Sequence, residues 1–113
     1  MAASVIFAAV QLDASPASTP SRNRIDLKCT AICVIKLVFG RYGDQAVRVA
    51  GCETGGTFSV WARNGQYLGL FQMGSYARSL YGHSWNAWGQ ARAAYQYFVD
   101  SGRDWSPWSC KPW

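Results

Sequence analysis

A helical pattern that ends in Cys52-Glu53-Thr54-Gly55-Gly56 decides much of what this chain can fold into. The residues from Gln45 to Glu53 are typical of a helix capped by Asp44, and the glycines that follow stop it. The face of this helix at positions i, i+3, i+4 and i+7 carries Ala46, Val49, Ala50 and Glu53. A carboxylate therefore continues an apolar stripe, and it belongs to the only glutamate in the 113 residues.

Glu53 is a candidate proton donor because of where that helix ends. Partial burial disfavours a charged carboxylate, and the carbonyl-rich C-terminal end of a helix repels negative charge. Both effects favour the protonated form, which is the form that a general acid needs. The alternative is a solvated glutamate at a helix end that takes no part in any reaction.

The length and composition predict one globular domain. A chain of 113 residues has room for a single modest core, and 50% of its residues are hydrophobic while only 15% are charged. The net charge of +5 favours anionic surroundings, such as nucleic acid, acidic lipid or an anionic cell wall. The basic residues are scattered singly from Arg22 to Lys111, so nucleic-acid binding is not predicted. No apolar run reaches the ~18 residues of a membrane span, so stable membrane insertion is not predicted either.

Four cysteines in a short chain are compatible with two disulfides in three possible connectivities. They are Cys29, Cys33, Cys52 and Cys110. A bond between Cys52 and Cys110 would tie the neighbour of Glu53 to the C-terminal tail, with Cys29 and Cys33 as the possible second pair. The alternative is a set of buried free thiols in a cytosolic protein. His83 is the only histidine and no paired cysteine spacing is present, so neither a metal site nor a cofactor is predicted.

The N-terminal segment is similar to a secretory signal. An apolar run from Ala2 to Val10 is followed by the small, turn-forming residues 13–21. No lysine or arginine precedes the apolar run, so a disordered extension is the alternative. We interpret residues 1–25 as a signal-like or disordered segment with a linker, and residues 26–113 as the folded domain. Because the cysteine count agrees with export, we expect a secreted protein of the extracellular space or cell wall.

The first part of the folded domain predicts a helix and a hairpin around the Glu53 helix. A helix capped by Asp26 would run through Val38, although the Val and Ile content of its second half leaves a strand possible. A hairpin would join residues 58–63 to 66–72 through a turn at Asn64-Gly65, the strongest short turn signal.

The second part predicts two more helices and an irregular tail. Ser75 would cap a short helix that ends at Gly82, and Asn86 a longer one that ends near Ser101. The longer helix carries an apolar stripe of Ala87, Ala91, Ala94, Tyr95 and Phe98. Residues 105–113 are too rich in Trp and Pro for regular structure and are expected to pack as a tail. The fold class is therefore mainly α, with one small β-hairpin.

Aromatic residues are numerous, with six Trp, six Tyr and five Phe. We expect most of these rings in the core. A smaller group lies in or beside loops: Trp61, Tyr67, Trp85 and Trp88. Such rings beside polar groups are typical of a sugar-binding cleft, because the C–H faces of a pyranose pack on aromatic surfaces.

Three motifs together resemble one family of enzymes. They are Val47-Arg-Val-Ala-Gly-Cys-Glu53-Thr-Gly-Gly, Gly69-Leu-Phe-Gln72-Met and Gln90-Ala-Arg-Ala-Ala94-Tyr-Gln-Tyr97-Phe. In this order and at these separations they resemble the lytic transglycosylases and goose-type lysozymes, which are peptidoglycan-cleaving domains. The resemblance covers about residues 40 to 110. The Trp-Ser-Pro-Trp-Ser-Cys tail looks like that of the compact transglycosylase-like domains of actinobacteria and their phages.

The resemblance implies a lysozyme-like fold in which the short hairpin flanks a glycan cleft. It makes Glu53 the catalytic acid and base, with Thr54 in the place of the family's serine beside the substrate. It also makes Gln72 and Tyr97 substrate-binding residues near the catalytic carboxyl group. Gly69 would let the backbone approach the sugar closely.

Two further aromatic residues, Trp61 and Tyr67, are expected to stack on the bound sugar. The chain also departs from the family pattern. Gln90 replaces the usual asparagine, and Asn64-Gly65 replaces the Ser and Gly-Ala pattern of the family before the second motif.

A single glutamate suffices for this reaction if the substrate takes part. A retaining glycosidase normally places a second carboxylate ~5 Å from the first, and an inverting one somewhat further away. Asp44, Asp100 and Asp104 are not expected near Glu53, given their places along the helices. The N-acetyl group of the substrate can instead attack the anomeric carbon while Glu53 protonates the leaving oxygen. Water or the sugar's own 6-hydroxyl then completes the reaction, and the sequence leaves both outcomes open.

The sequence therefore predicts a monomeric enzyme without metal or cofactor that acts on peptidoglycan glycan strands. The bond cleaved would be the β-1,4 bond between N-acetylmuramic acid and N-acetylglucosamine. Two other functions stay open. A non-catalytic wall- or glycan-binding module would keep the fold without the activity. A basic, disulfide-stapled domain acting on membranes or nucleic acid would bind in a strongly salt-dependent way.

Overall fold

Four α-helices and one two-stranded sheet make up residues 29–113, the part of the chain that the computed structural model describes. The elements are α1 (Ala31–Phe39), a 3₁₀ turn (Gly40–Tyr42), α2 (Gly43–Glu53), β1 (Arg63–Asn64), β2 (Tyr67–Leu68), α3 (Ser75–Tyr81) and α4 (Ala87–Asp100). About half of the described residues are helical, in agreement with the predicted mainly helical α+β class. None of these helices is long and apolar enough to cross a membrane. The predictions for residues 1–25 and for the Asp26 cap lie outside the described residues.

Helices α1 and α2 bring the apolar stripe of α2 into the core. Helix α1 packs against both α2 and α4, so the possible strand in this segment is not formed. Helix α2 begins two residues earlier than predicted, and Tyr42 rather than Asp44 is its N-cap residue. Asp44 lies in the first turn, where the helix dipole favours a negative charge, and its carboxylate is 3.8 Å from the Lys36 ammonium group. The predicted buried face of α2 is confirmed by three fully buried side chains: Ala46, Val49 and Ala50.

The hairpin is present, but its turn lies one residue later than predicted. Arg63 pairs with Leu68 and Asn64 with Tyr67, so the two turn residues are Gly65 and Gln66. Only Gly65 of these two has a positive φ, 61°, as in a turn that needs glycine at its first central position. Asn64 therefore belongs to β1 and lies directly opposite Tyr67. Side chains at directly opposite positions share one face of the sheet.

Helices α3 and α4 begin in different ways. The N-cap of α3 is Gly74, and Ser75 is the first helical residue rather than the predicted cap. The Ser75 backbone N–H and hydroxyl group both donate to the side-chain oxygen of Gln66, at 3.0 and 2.9 Å, which ties the hairpin turn to α3. The predicted cap of α4 is confirmed, because the Asn86 side chain accepts a 2.8 Å hydrogen bond from the Gly89 N–H.

The C-terminal tail completes the core, as the sequence predicts. Trp105 and Trp108 are almost fully buried, and Trp105 stacks on Phe39 with ring centroids 5.7 Å apart. Both indole N–H groups are satisfied: Trp105 donates to the Gln45 side chain at 2.8 Å and Trp108 to the Phe71 carbonyl at 2.9 Å. Residues Ala31–Trp113 form one compact unit, in which the tail lies across the end of α2.

A disulfide fixes that position of the tail. Cys52 and Cys110 are bonded across 58 residues of sequence, which confirms this predicted bond. Cys29 and Cys33 are disulfide-bonded as well, and no cysteine is free. The alternative of free thiols is therefore wrong.

Candidate active site

Glu53 is the last residue of α2, and it is half-buried beside the tail. One carboxylate oxygen accepts a 3.2 Å hydrogen bond from the Cys110 backbone N–H and a 3.4 Å contact from the Ser109 hydroxyl. The Cys110 N–H and the Ser109 hydroxyl thus fix the position of this carboxylate oxygen beside the tail. The disulfide one residue earlier, at Cys52, holds both donors in place.

Glu53 lines a cavity of ≈ 250 Å³. Its walls come from the end of α2, from the hairpin and from the tail, and comprise Glu53, Asn64, Tyr67, Gln72, Pro107, Trp108 and Ser109. Three residues predicted to act together, Glu53, Tyr67 and Gln72, are therefore found in one cavity.

A second cavity of ≈ 240 Å³ adjoins the first and contains Tyr97. The two cavities share four lining residues: Tyr67, Gln72, Pro107 and Trp108. Because of this shared wall, we treat them as one groove, with Glu53 at one end and Tyr76 and Tyr97 at the other. The fourth predicted residue, Tyr97, thus belongs to the same groove as Glu53.

Gln72 has an unusual backbone conformation at the centre of the groove. Its φ is 46°, a left-handed value that costs a non-glycine residue about 1–3 kcal/mol. Its side-chain amide donates to the carbonyls of Ala62 at 3.1 Å and Gly69 at 2.9 Å. Both amide hydrogens are thereby used. No donor within the described part of the chain bonds to the side-chain oxygen of Gln72, which is the group left to accept a hydrogen bond from a ligand.

Tyr97 is held in the groove by two aromatic neighbours. Its ring stacks on Tyr81 with centroids 5.1 Å apart and packs on Trp108 at 5.0 Å. The Tyr81 hydroxyl donates a 2.9 Å hydrogen bond to Asp100, and this bond raises the pKa of Tyr81. The groove thus has an aromatic wall whose rings support one another.

Gly69 lies outside the lining of the groove in which the prediction placed it. It is buried outside the lining of the groove, with a φ of 81°, and a Cβ at this position would lie 2.4 Å from the side-chain oxygen of Gln90. That oxygen accepts a hydrogen bond from the Leu70 N–H at 2.8 Å, while the amide nitrogen donates to the carbonyls of Val60 and Ser84 at 3.0 and 2.9 Å. Gly69 therefore makes room for a protein side chain, and Gln90 joins three loops.

Replacement of Gly69 by alanine should lower the free energy of unfolding by about 2–4 kcal/mol, because it combines a left-handed backbone with the displacement of Gln90. Gly55→Ala is the matched control. Gly55 also has a positive φ, 62°, but open space surrounds its missing Cβ. We expect only about 1 kcal/mol there. Urea denaturation of both variants checks the difference, and equal losses would show that the contact with Gln90 is unimportant.

Thr54 and Trp61 also lie outside the groove. The buried Thr54 hydroxyl donates to the Ala50 carbonyl at 2.8 Å and accepts from the Phe58 N–H at 2.9 Å. Its structural role is thus to end α2 and so to position Glu53, and no contact with a ligand in the groove is indicated. Trp61 is 66% exposed and stacks on Trp85, and neither of these residues lines the groove.

Glu53 is the only acidic residue that lines the groove within residues 29–113. Asp44 lies beside Lys36 and Asp100 accepts from Tyr81. Asp104 accepts hydrogen bonds from Ser106, which lower the pKa of Asp104. Over the same range, no group of three His, Cys, Asp or Glu side chains could hold a metal ion.

Several groove residues were not identified from the sequence, namely Asn64, Pro107, Trp108 and Ser109. Asn64 was assigned to the turn, and the one-residue shift of that turn brings it to the groove. The signal for Ser109 was available, because a bond from Cys52 to Cys110 forces the residue before Cys110 close to Glu53.

Comparison of the chain with protein-family models, with curated proteins and with solved structures found no match.

Proposed function

We propose that this protein is a peptidoglycan-cleaving glycosidase with a lysozyme-like fold. It acts on the β-1,4 bond between N-acetylmuramic acid and N-acetylglucosamine, with Glu53 as acid and then base. The observation that carries the proposal is the carboxylate of Glu53, the one acidic group that residues 29–113 bring to the groove, together with Gln72 and Tyr97. The three residues belong to motifs that lie far apart in the sequence. The formation of the individual helices does not by itself bring these residues to one groove.

The first step is cleavage of the glycosidic bond. Protonated Glu53 donates its proton to the glycosidic oxygen as the C–O bond breaks. The acetamide oxygen of the N-acetylmuramic acid residue attacks the anomeric carbon of that residue. The substrate thereby replaces the second carboxylate of other retaining glycosidases. The leaving sugar departs with the proton, and Glu53 is left as an anion.

The second step returns the proton to Glu53. The anion removes a proton either from water or from the 6-hydroxyl of the sugar, whose oxygen then attacks the anomeric carbon and displaces the acetamide. Water gives a reducing end and the 6-hydroxyl gives a 1,6-anhydro end. The hydrogen bonds from Cys110 and Ser109 stabilise the Glu53 anion between the two steps.

The other groove residues bind the substrate. The side-chain oxygen of Gln72 accepts from a hydroxyl or acetamide N–H group of the sugar. The rings of Tyr67 and Tyr97 offer faces for pyranose C–H groups, and Trp108 forms the wall between them.

The setting of the enzyme is extracellular. Disulfides persist in oxidising compartments, and all four cysteines of the chain are disulfide-bonded. The net charge of +5 suits an anionic cell wall as the place of action.

Mass analysis of the products from purified peptidoglycan tests the proposal. We expect soluble muropeptides with either 1,6-anhydro or reducing N-acetylmuramic acid ends. Release of no soluble fragment by the folded, oxidised protein would contradict the enzymatic function.

A non-catalytic wall-binding module is the second candidate. It is favoured by the contacts of the Glu53 carboxylate, which already accepts hydrogen bonds from the Cys110 N–H and the Ser109 hydroxyl within the protein, as a structural side chain does. A module of this kind would sediment with purified cell walls and release nothing from them.

A further inference from the structure

Two exposed tryptophans form a stacked pair outside the groove. The ring centroids of Trp61 and Trp85 are 5.1 Å apart with an interplanar angle of 18°, and the side chains are 66% and 40% exposed. His83 packs edge-on against Trp85 at 4.5 Å. Neither tryptophan lines the groove that contains Glu53. Large aromatic rings that remain together in water commonly mark an interaction site.

The backbone beneath this tryptophan pair is held rigidly. The amide nitrogen of Gln90 donates to the carbonyls of Val60 and Ser84, which are the residues directly before the two tryptophans. The Trp61 N–H also donates to the Ser59 hydroxyl at 3.0 Å. A ligand that binds on the two rings would therefore pay little to order the loops that carry them.

The same hydrogen bonds connect the tryptophan pair to the groove. The side-chain oxygen of Gln90 accepts from the Leu70 N–H, two residues before Gln72. On the other side, Gln72 donates to the carbonyl of Ala62, the residue after Trp61. The tryptophan pair and the groove are thus built on one hydrogen-bonded frame.

The rings of the tryptophan pair and of His83 carry little charge, although the Arg78 guanidinium lies within electrostatic range of His83. Partial burial lowers the pKa of His83, and the nearby Arg78 lowers it further, so the ring is largely uncharged at neutral pH. A neutral, flat aromatic surface suits the C–H face of a sugar ring better than it suits a phosphate or a carboxylate.

We propose that Trp61 and Trp85 form a second glycan-binding site, which stacks on sugar rings of the strand beyond the bond that is cleaved. This inference rests on the proposed function. The groove has room for only a short piece of a glycan strand, because its two cavities measure ≈ 250 and ≈ 240 Å³ and a pocket for a single drug-sized ligand measures ~300–1,000 Å³. A polymeric strand that occupies the groove must continue across the protein surface. The tryptophan pair is connected to the groove by the hydrogen bonds of Gln72 and Gln90.

Sedimentation with insoluble peptidoglycan tests the site without catalysis if every variant also carries Glu53→Gln. We expect Trp61→Ala and Trp85→Ala to weaken binding by about tenfold each, as the loss of a stacking contact of ~1.4 kcal/mol predicts. Trp88→Ala is the matched control, because Trp88 is 41% exposed and Trp85 is 40% exposed. The control should change binding by less than about twofold. Trp85→Phe, which keeps an aromatic face, should restore most of the binding.

Activity gives a second readout in the protein with Glu53 intact. Trp85→Ala should lower the ratio of the rate on insoluble wall to the rate on a short soluble oligosaccharide. Equal binding by the Trp85→Ala and Trp88→Ala proteins would overturn the inference. A dimer in analytical ultracentrifugation that Trp85→Ala abolishes, with binding to peptidoglycan unchanged, would also overturn it. The same holds for binding to anionic phospholipid vesicles that Trp85→Ala abolishes while binding to peptidoglycan is unchanged.

The inference and the proposed function fail in different ways. Binding that depends on the tryptophans, with no soluble fragment released, would remove the enzymatic function and leave the second site. Release of fragments by a protein whose binding to peptidoglycan does not depend on either tryptophan would refute the second site and leave the enzymatic function. A chain that neither binds nor cleaves peptidoglycan would remove both.

Discussion

A Glu53→Gln protein is expected to release soluble fragments from peptidoglycan about 10²–10⁴ times more slowly than the parent, the usual contribution of a general acid and base. Glutamine has nearly the same shape as glutamate. Its side-chain oxygen can still accept the hydrogen bond from the Cys110 N–H that the carboxylate accepts at 3.2 Å. It cannot donate an acidic proton in the first step or remove one in the second. The initial rate of fragment release from purified walls measures the effect.

The control for this prediction is Asp44→Asn, which removes a carboxylate at the opposite end of the same helix. The Asp44 side chain is 80% exposed and is paired with Lys36, so the rate should stay close to that of the parent. Circular dichroism and thermal unfolding verify that both variants are folded. A folded Glu53→Gln protein that clears walls at the parent rate would exclude the proposed mechanism and leave the wall-binding module.

Local sequence patterns predicted those parts of the site that depend on one helix at a time. The spacing of Ala46, Val49 and Ala50 is sufficient to bury one face of α2, because a helix brings positions three and four apart together. The same spacing makes Glu53 continue that face. Asn86 capped α4 as predicted, since a cap depends on only a few neighbouring residues.

Contacts between distant segments were not predictable in the same way. Gly69 was assigned to the sugar, whereas its close neighbour is Gln90, a residue on a helix that begins much later in the chain. The hairpin turn shifted by one residue because either register places Gly65 at a positive φ. In the observed register, Ser75 donates two hydrogen bonds to the side chain of Gln66. The turn signal in the sequence gives no information about these contacts.

The Cys52–Cys110 bond should be the largest single contributor to stability near the site. Replacing both cysteines by serine opens a loop that spans 58 residues of sequence, and we expect a loss of about 2–5 kcal/mol in the free energy of unfolding. The catalytic rate should also fall in conditions where the variant is still folded. The tail supplies both hydrogen-bond donors to Glu53 and the groove residues Pro107 and Trp108, and the bond holds that tail against α2.

A double variant of the other two cysteines separates these effects, because neither Cys29 nor Cys33 lines the groove. Cys29→Ser with Cys33→Ser should keep most of the catalytic rate in the folded protein. The Cys52→Ser and Cys110→Ser protein should lose most of it at a temperature well below its own unfolding transition. Since Trp105 and Trp108 remain buried in the core, the tail is still partly anchored without the disulfide, and the loss then reflects the residues beyond Trp108. Equal rates in the two folded double variants would mean that the hydrogen bonds from Ser109 and Cys110 are not needed for catalysis by Glu53.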